Sequence, residues 1–440
     1  MEENEGLKRE IGVWGLVSNS INIIVGAGIF LIPVIVFERL GTGSILAFII
    51  CGILMMLIML SFAEIGTRIT KTGGAYSYIE EAFGKYAGFL TTNIFIFGAS
   101  VMANAAVANG LADTLAYFFP IFTIQWVRIL LFFLIFSGLA YLNVKGISKA
   151  MSLVKFVTIA KLSPLILIIL FGWIYMKPAN LAWTFTPTLS DVGEMSLILI
   201  FAFVGAETAL NVGGEIKNPQ KTIPKGIILS ILAVVLLYTS IQITAQGILG
   251  NELLDFRSAP LAEVAMRMIG PIGATIVIIG ASFSMFGNLS GMTLNMPRVL
   301  YAAARDKVVP IKSLAHIHSK YATPNVSIIV YAAMGFIFAV TGEFKELAIL
   351  SSVSYLVIYL GVVLAVIKFR HTSGTRSIDT YLTPGGYIIP AISVIVIIWL
   401  FTNLAWAEVK AMLIFIGILS IIYLLVQLFK KNSVVSSRHI

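Results

Sequence analysis

Long apolar stretches separated by short polar segments run along almost the whole chain. Twelve of them reach the roughly 18 to 25 residues that an α-helix needs to cross a bilayer. We place the spans at 11–36, 42–66, 87–117, 124–143, 152–176, 193–212, 225–247, 270–302, 324–342, 345–367, 386–404 and 409–430. This pattern predicts an all-α membrane protein with twelve transmembrane helices.

The composition agrees with this class. The 440 residues are 58% hydrophobic and 12% charged, and the mean hydropathy is +0.96. That balance excludes a soluble globular domain and makes the lipid bilayer the expected environment. The net charge of +9 comes from basic residues scattered between the spans, so membrane topology explains it and we expect no nucleic acid partner.

The distribution of lysine and arginine predicts the orientation in the membrane. With the N-terminus inside, the cytoplasmic segments hold about 22 of the 30 basic residues, the outer loops about 7, and Lys161 lies within a span. Basic residues accumulate on the cytoplasmic side of membrane proteins. We therefore expect a multi-pass protein of the cell membrane with both termini, 1–10 and 431–440, in the cytoplasm.

The first span carries its weakest helix formers in the middle. Asn19, Ser20 and Asn22 precede the stretch Gly26-Ala27-Gly28. An unpaired backbone group at the bilayer midplane costs several kcal/mol, so such a break survives only where it faces protein, water or a ligand. The sequence predicts a discontinuous helix whose freed backbone groups face a ligand.

The sixth span contains a similar interruption, at Gly205 in the stretch Phe201–Thr208. Spans one and six begin two sets of five spans, 11–176 and 193–367. Because five is odd, the second set enters the membrane from the opposite side, and spans eleven and twelve at 386–430 lie outside the repeat. Matching breaks in two inverted halves indicate a transporter binding site.

The two breaks offer complementary backbone groups. The break at Gly26-Ala27-Gly28 leaves the N–H groups of Ala27, Gly28 and Ile29 at the positive end of a helix dipole, where they can hold a carboxylate. Carbonyls freed by the second break can accept hydrogen bonds from an ammonium group, and we assign this role to Ile24, Phe201, Ala202 and Val204. An α-amino acid carries both charges. The alternative is that Gly-Ala-Gly only permits close helix packing, but the pairing of two breaks favours a binding site.

Several short motifs follow one another over most of the chain. They are Gly26-Ala27-Gly28-Ile29-Phe30 with Pro33, Ala63-Glu64-Ile65-Gly66, Lys71-Thr72-Gly73-Gly74-Ala75-Tyr76, Phe201–Glu207, Glu215-Ile216-Lys217-Asn218-Pro219 with Pro224, Arg298-Val299-Leu300-Tyr301 and Ala304-Arg305-Asp306. With these motifs the chain resembles the amino acid–polyamine–organocation (APC) transporters over nearly its whole length. The resemblance implies the inverted five-plus-five, leucine-transporter-like fold with discontinuous helices 1 and 6, alternating access and amino acid substrates.

Lys161 lies in the middle of span five, where a charge is costly and is a functional candidate by default. The resemblance implies that its ammonium group occupies the volume of a sodium ion used by other members. It also implies contacts with the Asn22 carbonyl and with Ser284. Lys161 either takes part in proton coupling or acts as a fixed cation that ties helices together, and both roles exclude sodium there.

Four further residues are candidates with weaker support. Glu207 follows the second break and is predicted to gate or sense protons, the alternative being a protonated, hydrogen-bonded carboxyl. Phe203 could cover the substrate as a moving aromatic gate or be an ordinary core residue. Met292 is a candidate for the pocket wall, and Asn104 either faces the pocket or makes a polar packing contact. Since Glu207 is the one central carboxylate, a neutral substrate is favoured.

The sequence therefore predicts a sodium-independent secondary transporter that carries neutral amino acids together with a proton. An exchanger of amino acids, including cationic amino acids or amines, is the alternative. An enzyme is disfavoured because no metal cluster or nucleophile motif is present, and a channel because two isolated breaks suit a single occluded site. We expect no cofactor or metal, a proton or counter-substrate as partner, and a monomer or homodimer.

Overall fold

The computed structural model describes residues 9, 11–70, 73–145, 150–183, 186–305, 309, 311–321, 323–373 and 380–436. Within these ranges the regular secondary structure is helical, apart from one isolated parallel bridge between Ile11 and Ile216. The α-helices are α1 (Val13–Ile24), α2 (Gly28–Leu40), α3 (Ser44–Arg68), α4 (Ala75–Phe83), α5 (Lys85–Asn93), α6 (Val101–Ala116), α7 (Gln125–Val144), α8 (Ala150–Gly172), α9 (Leu189–Phe203), α10 (Pro219–Leu249), α11 (Pro260–Ile269), α12 (Pro271–Arg305), α13 (Asn325–Thr341), α14 (Phe344–Ser373), α15 (Ile388–Thr402) and α16 (Trp406–Ser436).

The helices agree with the apolar spans to within a few residues in most cases. Seven helical segments of the described chain are long and apolar enough to cross a membrane, and four further apolar helices are shorter. Two of those short helices, Val13–Ile24 and Lys161–Tyr175, fall within predicted spans one and five. An all-α membrane protein is therefore confirmed.

Two local features differ from the prediction. Span three is not one regular helix, because a π-helical turn at Ile94–Ser100 separates α5 from α6. Helix α16 continues to Ser436, so part of the segment 431–440 that was assigned to a tail is helical. A helix that is already nucleated adds residues at little cost, which allows it to extend beyond the apolar stretch.

The core and the lipid-facing surface use the same apolar residue types. Helix α6 is almost fully buried at the centre of the bundle, and its alanines allow neighbouring helices to approach closely. Helix α16 instead exposes large side chains such as Leu413, Ile421 and Leu424. Extended apolar surface on several helices is what a bilayer-embedded protein presents.

Both predicted helix breaks are present and they lie against each other. The first separates α1 from α2 at 25–27, and the second separates α9 from a 3-10 helix at Thr208–Glu215. A Cβ on Gly28 would lie 2.8 Å from the Cβ of Ala202. Gly205 has φ of +132°, and a Cβ there would lie 3.1 Å from the Ile24 nitrogen. The glycines are required because two backbones meet at this point.

Candidate functional site

The first break leaves a series of backbone donors open at the start of α2. Val25 N–H donates to the Ile21 carbonyl at 3.0 Å, and Phe30 N–H donates to the Ala27 carbonyl at 3.1 Å. Between them, the N–H groups of residues 26–29 have no backbone acceptor within the described chain. These buried donors at a helix N-terminus form a site for an anionic group.

The carbonyl end of α1 is held by a cation from α8. Lys161, 2% exposed, donates to the Asn22 carbonyl at 2.5 Å and to the Val25 carbonyl at 2.9 Å. Ser284 on α12 donates to Val25 at 3.2 Å and to the Gly26 carbonyl at 3.3 Å. The structure thus has the Lys161–Asn22 contact that the resemblance implied, while Lys161 and Ser284 meet at the shared Val25 carbonyl.

The second break is held at its N–H end by the carboxyl group of Glu207. The N–H of Gly205 donates to both carboxylate oxygens of Glu207, each at 3.1 Å. The Tyr359 hydroxyl donates to Glu207 Oε2 at 3.0 Å. Glu207 is therefore engaged with its own helix break, and the carbonyls of Phe201 and Val204 have no partner within the described chain.

Tyr238 on α10 links the two breaks, and sequence reasoning missed it. Its hydroxyl lies within donor distance of the Ala202 carbonyl at 3.0 Å and the Ile24 carbonyl at 3.2 Å. Both carbonyls were assigned to a substrate ammonium group. The hydroxyl has one proton and each carbonyl oxygen has two lone pairs, so this assignment stays a prediction. A tyrosine in the middle of an apolar span gives no local signal, since only the packing of α10 brings it to the breaks.

A small cavity of about 40 Å³ lies where the two breaks meet. Eight predicted residues line it, namely Ile24, Gly26, Ala27, Gly28, Phe201, Val204, Gly205 and Met292. Six lining residues were not predicted, namely Ile23, Ala103, Val107, Thr208, Asn288 and Tyr355. Asn288 precedes Met292 by four residues on α12, so the two share a helix face. The spacing from the predicted residue Met292 could have identified Asn288 in the sequence.

Three of the residues predicted to bind the substrate lie outside the cavity lining. Ala202 faces Tyr238, and Phe203 is buried against the Tyr238 ring with centroids 5.2 Å apart. Asn104 is fully buried, and neither of its amide atoms has a hydrogen-bond partner in the described chain. Phe203 therefore has the core position that was the alternative to a gate. Asn104 makes no polar packing contact within the described chain, and its role at the pocket stays a prediction.

Phe201 is the aromatic residue at the cavity. Residues two apart on a helix point in nearly opposite directions, so Phe201 faces the cavity while Phe203 faces α10. The Phe201 ring packs edge-on against Phe344, with centroids 5.6 Å apart. Phe344 in turn lines a second cavity of about 1220 Å³. This ring pair stands between the two cavities.

The large cavity is polar and lies at one end of the bundle. Its wall includes the end of α2 with Glu38 and Arg39, and the region around Asp113 and Arg128. Arg128 pairs with Asp113 at 2.5 Å, and Arg257 pairs with Glu38 at 2.7 Å. The charges in this cavity are therefore largely paired with one another.

The opposite end of the bundle is closed by a buried ion pair. Arg370 Nε donates to Glu64 Oε1 at 2.6 Å, and a second guanidinium nitrogen contacts Glu64 Oε2. Thr383 N–H also donates to Glu64 Oε2, at 2.9 Å. Arg370 and Phe344 lie on the same helix, α14, and a rise of about 1.5 Å per residue places them about 40 Å apart. The large cavity thus opens one end of the bundle, and the Glu64–Arg370 ion pair closes the other.

No metal centre accompanies this site in the part of the chain that the structure describes. Groups of three or more His, Cys, Asp or Glu side chains within reach of one ion are absent there. The buried cation and carboxylate bind backbone groups instead. The chemistry available at the cavity is reversible binding of a small molecule with one positive and one negative end.

Two broken helices that present opposite backbone ends to one cavity are typical of secondary transporters. The family model described as amino acid permease matches residues 11–439. The chain belongs to this amino acid permease family, and it is a multi-pass membrane protein of amino acid transport.

Relatives in bacteria and animals carry names of the same kind. The serine/threonine exchanger SteT of Bacillus subtilis (strain 168) is 30% identical over 373 residues, which cover 82% of this chain and 83% of the relative. The branched-chain amino acid permease BcaP of the same organism is 26% identical over 443 residues, covering 96% and 93%. The cystine/glutamate transporter of Homo sapiens is 28% identical over 356 residues, covering 79% and 71%.

Proposed function

We propose that this protein is a sodium-independent secondary transporter that carries neutral amino acids across the cell membrane by alternating access. The observation that carries the proposal is the cavity between the two helix breaks. It has N–H groups on one side and carbonyls on the other that lack a backbone partner within the described chain. The proposal includes twelve crossings, an inverted five-plus-five core, two further helices and cytoplasmic termini.

The substrate binds in this proposal as a zwitterion across the two breaks. Its carboxylate accepts hydrogen bonds from the N–H groups of Ala27, Gly28 and Ile29. Its ammonium group donates to the carbonyls of Phe201 and Val204, which Tyr238 does not use. Hydrogen bonds to a charged partner are roughly twice as strong as neutral ones, so backbone alone can hold both ends.

The lining of the cavity supports a neutral side chain. Its residues include no lysine, arginine, aspartate or glutamate. A charged substrate side chain would be desolvated there without a compensating charge. The names of SteT and BcaP refer to serine/threonine and to branched-chain amino acids, all of which carry neutral side chains.

Lys161 supports sodium independence. Its ammonium group binds the Asn22 and Val25 carbonyls at the end of α1, which places a positive charge against oxygens that could otherwise coordinate a cation. Lys161 either exchanges a proton during transport, giving symport, or remains charged as a fixed strut. Exchange is the second candidate mechanism, favoured by the likeness to a relative named as an exchanger.

The unequal ends of the bundle support alternating access. The large cavity reaches the Phe201–Phe344 ring pair from one end, and the Glu64–Arg370 ion pair closes the other. With the N-terminus in the cytoplasm, the open cavity faces outward. In this scheme Glu207 acts at the second break as a gate, because its carboxylate must leave the Gly205 N–H if that segment rearranges.

Uptake into proteoliposomes tests the proposal. A thermal-shift screen of the twenty amino acids first identifies the substrate, because a ligand stabilises the protein in proportion to the logarithm of its concentration over Kd. We expect saturable uptake that is unchanged when sodium replaces potassium. Stimulation by an inward proton gradient in empty vesicles indicates symport, whereas a requirement for internal amino acid indicates exchange. Uptake driven by a sodium gradient would contradict the proposal.

A further inference from the structure

The small cavity is lined by a buried tyrosine whose hydroxyl is not used by either helix break. Tyr355 on α14 lines the cavity and is 1% exposed. Its hydroxyl has no hydrogen-bond partner in the part of the chain that the structure describes. The large majority of buried side-chain polar atoms are paired, so a buried hydroxyl at a ligand cavity is a candidate ligand contact.

The Tyr355 ring is held in place by neighbouring aromatic rings. Phe95 packs edge-on against it with centroids 6.0 Å apart, and Tyr359 packs at 5.9 Å. The two tyrosines differ in one respect. The Tyr359 hydroxyl is engaged by Glu207 at 3.0 Å, whereas that of Tyr355 is available at a fixed position.

The remaining wall restricts the substrate side chain. Ala103, Val107 and Met292 are apolar, and the cavity volume is about 40 Å³. Typical small-molecule pockets are several times larger, so only a small side chain fits without rearrangement. The neighbouring Thr208 hydroxyl already lies 3.5 Å from Glu207 Oε1, at the limit of a hydrogen bond.

We propose that the Tyr355 hydroxyl determines side-chain specificity, and that the preferred substrates are the small hydroxylated amino acids serine and threonine. This inference rests on the proposed function. A substrate hydroxyl pairs with Tyr355, whereas alanine or 2-aminobutyrate leaves it buried and unpaired. A site built to bind a substrate hydroxyl rejects analogues that lack it.

The test measures dissociation constants by thermal shift for two matched pairs, serine against alanine and threonine against 2-aminobutyrate. We expect wild-type protein to prefer the hydroxylated member about tenfold. Tyr355→Phe should reduce this preference to about twofold or less while leaving alanine affinity unchanged. Tyr331→Phe serves as the matched control, because that hydroxyl is buried and paired with Ser100 at 2.6 Å; its preference should equal that of the wild type.

A second readout separates specificity from structure. Without ligand, Tyr355→Phe should melt no lower than the wild type, since it removes an unpaired hydroxyl, whereas Tyr331→Phe should melt lower. Equal loss of affinity for all four amino acids in Tyr355→Phe would indicate that the Tyr355 hydroxyl binds the substrate carboxylate, which overturns the inference. A wild type that binds alanine as well as serine also overturns it. A wild type stabilised by none of the twenty amino acids instead overturns the proposed function itself.

Discussion

The two helix breaks are held by different side chains, a lysine at the first and a glutamate at the second. At the first break, the cation of Lys161 holds the carbonyl end, and the N–H end is free. At the second, the carboxyl group of Glu207 holds the N–H end, and the carbonyls of Phe201 and Val204 have no partner among the described residues. In the proposed site, the side chain near each break therefore determines which backbone groups remain for a ligand, and glycine alone does not.

This arrangement is favourable for both charges. A cation at the C-terminal end of a helix and an anion at an N-terminal end each complement the helix dipole. Lys161 also satisfies two backbone carbonyls, and Glu207 satisfies the Gly205 N–H, all of which would otherwise need other partners in the membrane interior. The Tyr238 hydroxyl then joins the breaks by contacting one carbonyl from each. The site is thus one unit built from two interruptions.

Adding a methyl group at the point where the breaks meet should have the largest effect. Gly205→Ala places a Cβ 2.8 Å from Ile23 Cγ2 at a φ of +132°, and this combination is strained for any residue with a Cβ. We expect uptake to fall below about 1% of the wild type.

Gly138→Ala is the matched control for that substitution. Nothing lies within 4 Å of a Cβ built at Gly138 on α7, so uptake and expression should match the wild type. Wild-type uptake by Gly205→Ala would show that the breaks need not be in contact.

Removing the cation from the first break should have the next largest effect. Lys161→Ala leaves the Asn22 and Val25 carbonyls without their charged donor, and hydrogen bonds to charged groups contribute about 1.5 to 3 kcal/mol each. We expect uptake to fall at least about thirtyfold. The exposed Lys177→Ala should retain full activity. Full activity of Lys161→Ala would show that the contacts of Lys161 with the first break are not needed for transport.

The anion at the second break can be tested by a graded pair of substitutions. Glu207→Gln keeps an oxygen that can accept from Gly205 N–H, so we expect a loss of about threefold. Glu207→Ala removes every acceptor and should cost about tenfold. Initial uptake rates should therefore be higher for Glu207→Gln than for Glu207→Ala. Equal rates would show that the contact between Glu207 and the Gly205 N–H is not needed for transport.

The link between the breaks should give the smallest effect. Tyr238→Phe keeps the ring packing on Phe203 and removes only the hydroxyl. Leaving buried carbonyls without a donor costs about 1 to 3 kcal/mol, which should lower the melting temperature of the detergent-solubilised protein by a few degrees. Tyr86→Phe, which alters an exposed hydroxyl bound to Ser420, should melt as the wild type does.

The sequence predicted the features that local residues determine. Gly26, Gly28 and Gly205 interrupt apolar spans, so their breaks were recognisable without a structure. Boundaries such as that of α7 at Gln125–Val144 followed the apolar pattern closely, against a predicted 124–143. The π-helical turn at Ile94–Ser100 has no such signal, because its residues are as apolar as those of a regular helix.

Contacts between distant helices were not predictable in the same way. Tyr238 and Asn288 reach the site only through the packing of α10 and α12. The choice between Phe201 and Phe203 depended on how α9 is rotated about its axis, which a short stretch before a break does not reveal. Individual helix breaks are therefore readable from sequence, while the neighbours that complete the site are not.

The central claim is that one zwitterion bridges the free N–H groups of the first break and the free carbonyls of the second. Thermal shift with the substrate found in the screen, its methyl ester and its N-acetyl derivative tests this claim most directly. The account predicts that only the free amino acid stabilises the protein, because the ester lacks the carboxylate and the acetyl derivative lacks the ammonium group. Stabilisation by either derivative equal to that of the parent amino acid would contradict it.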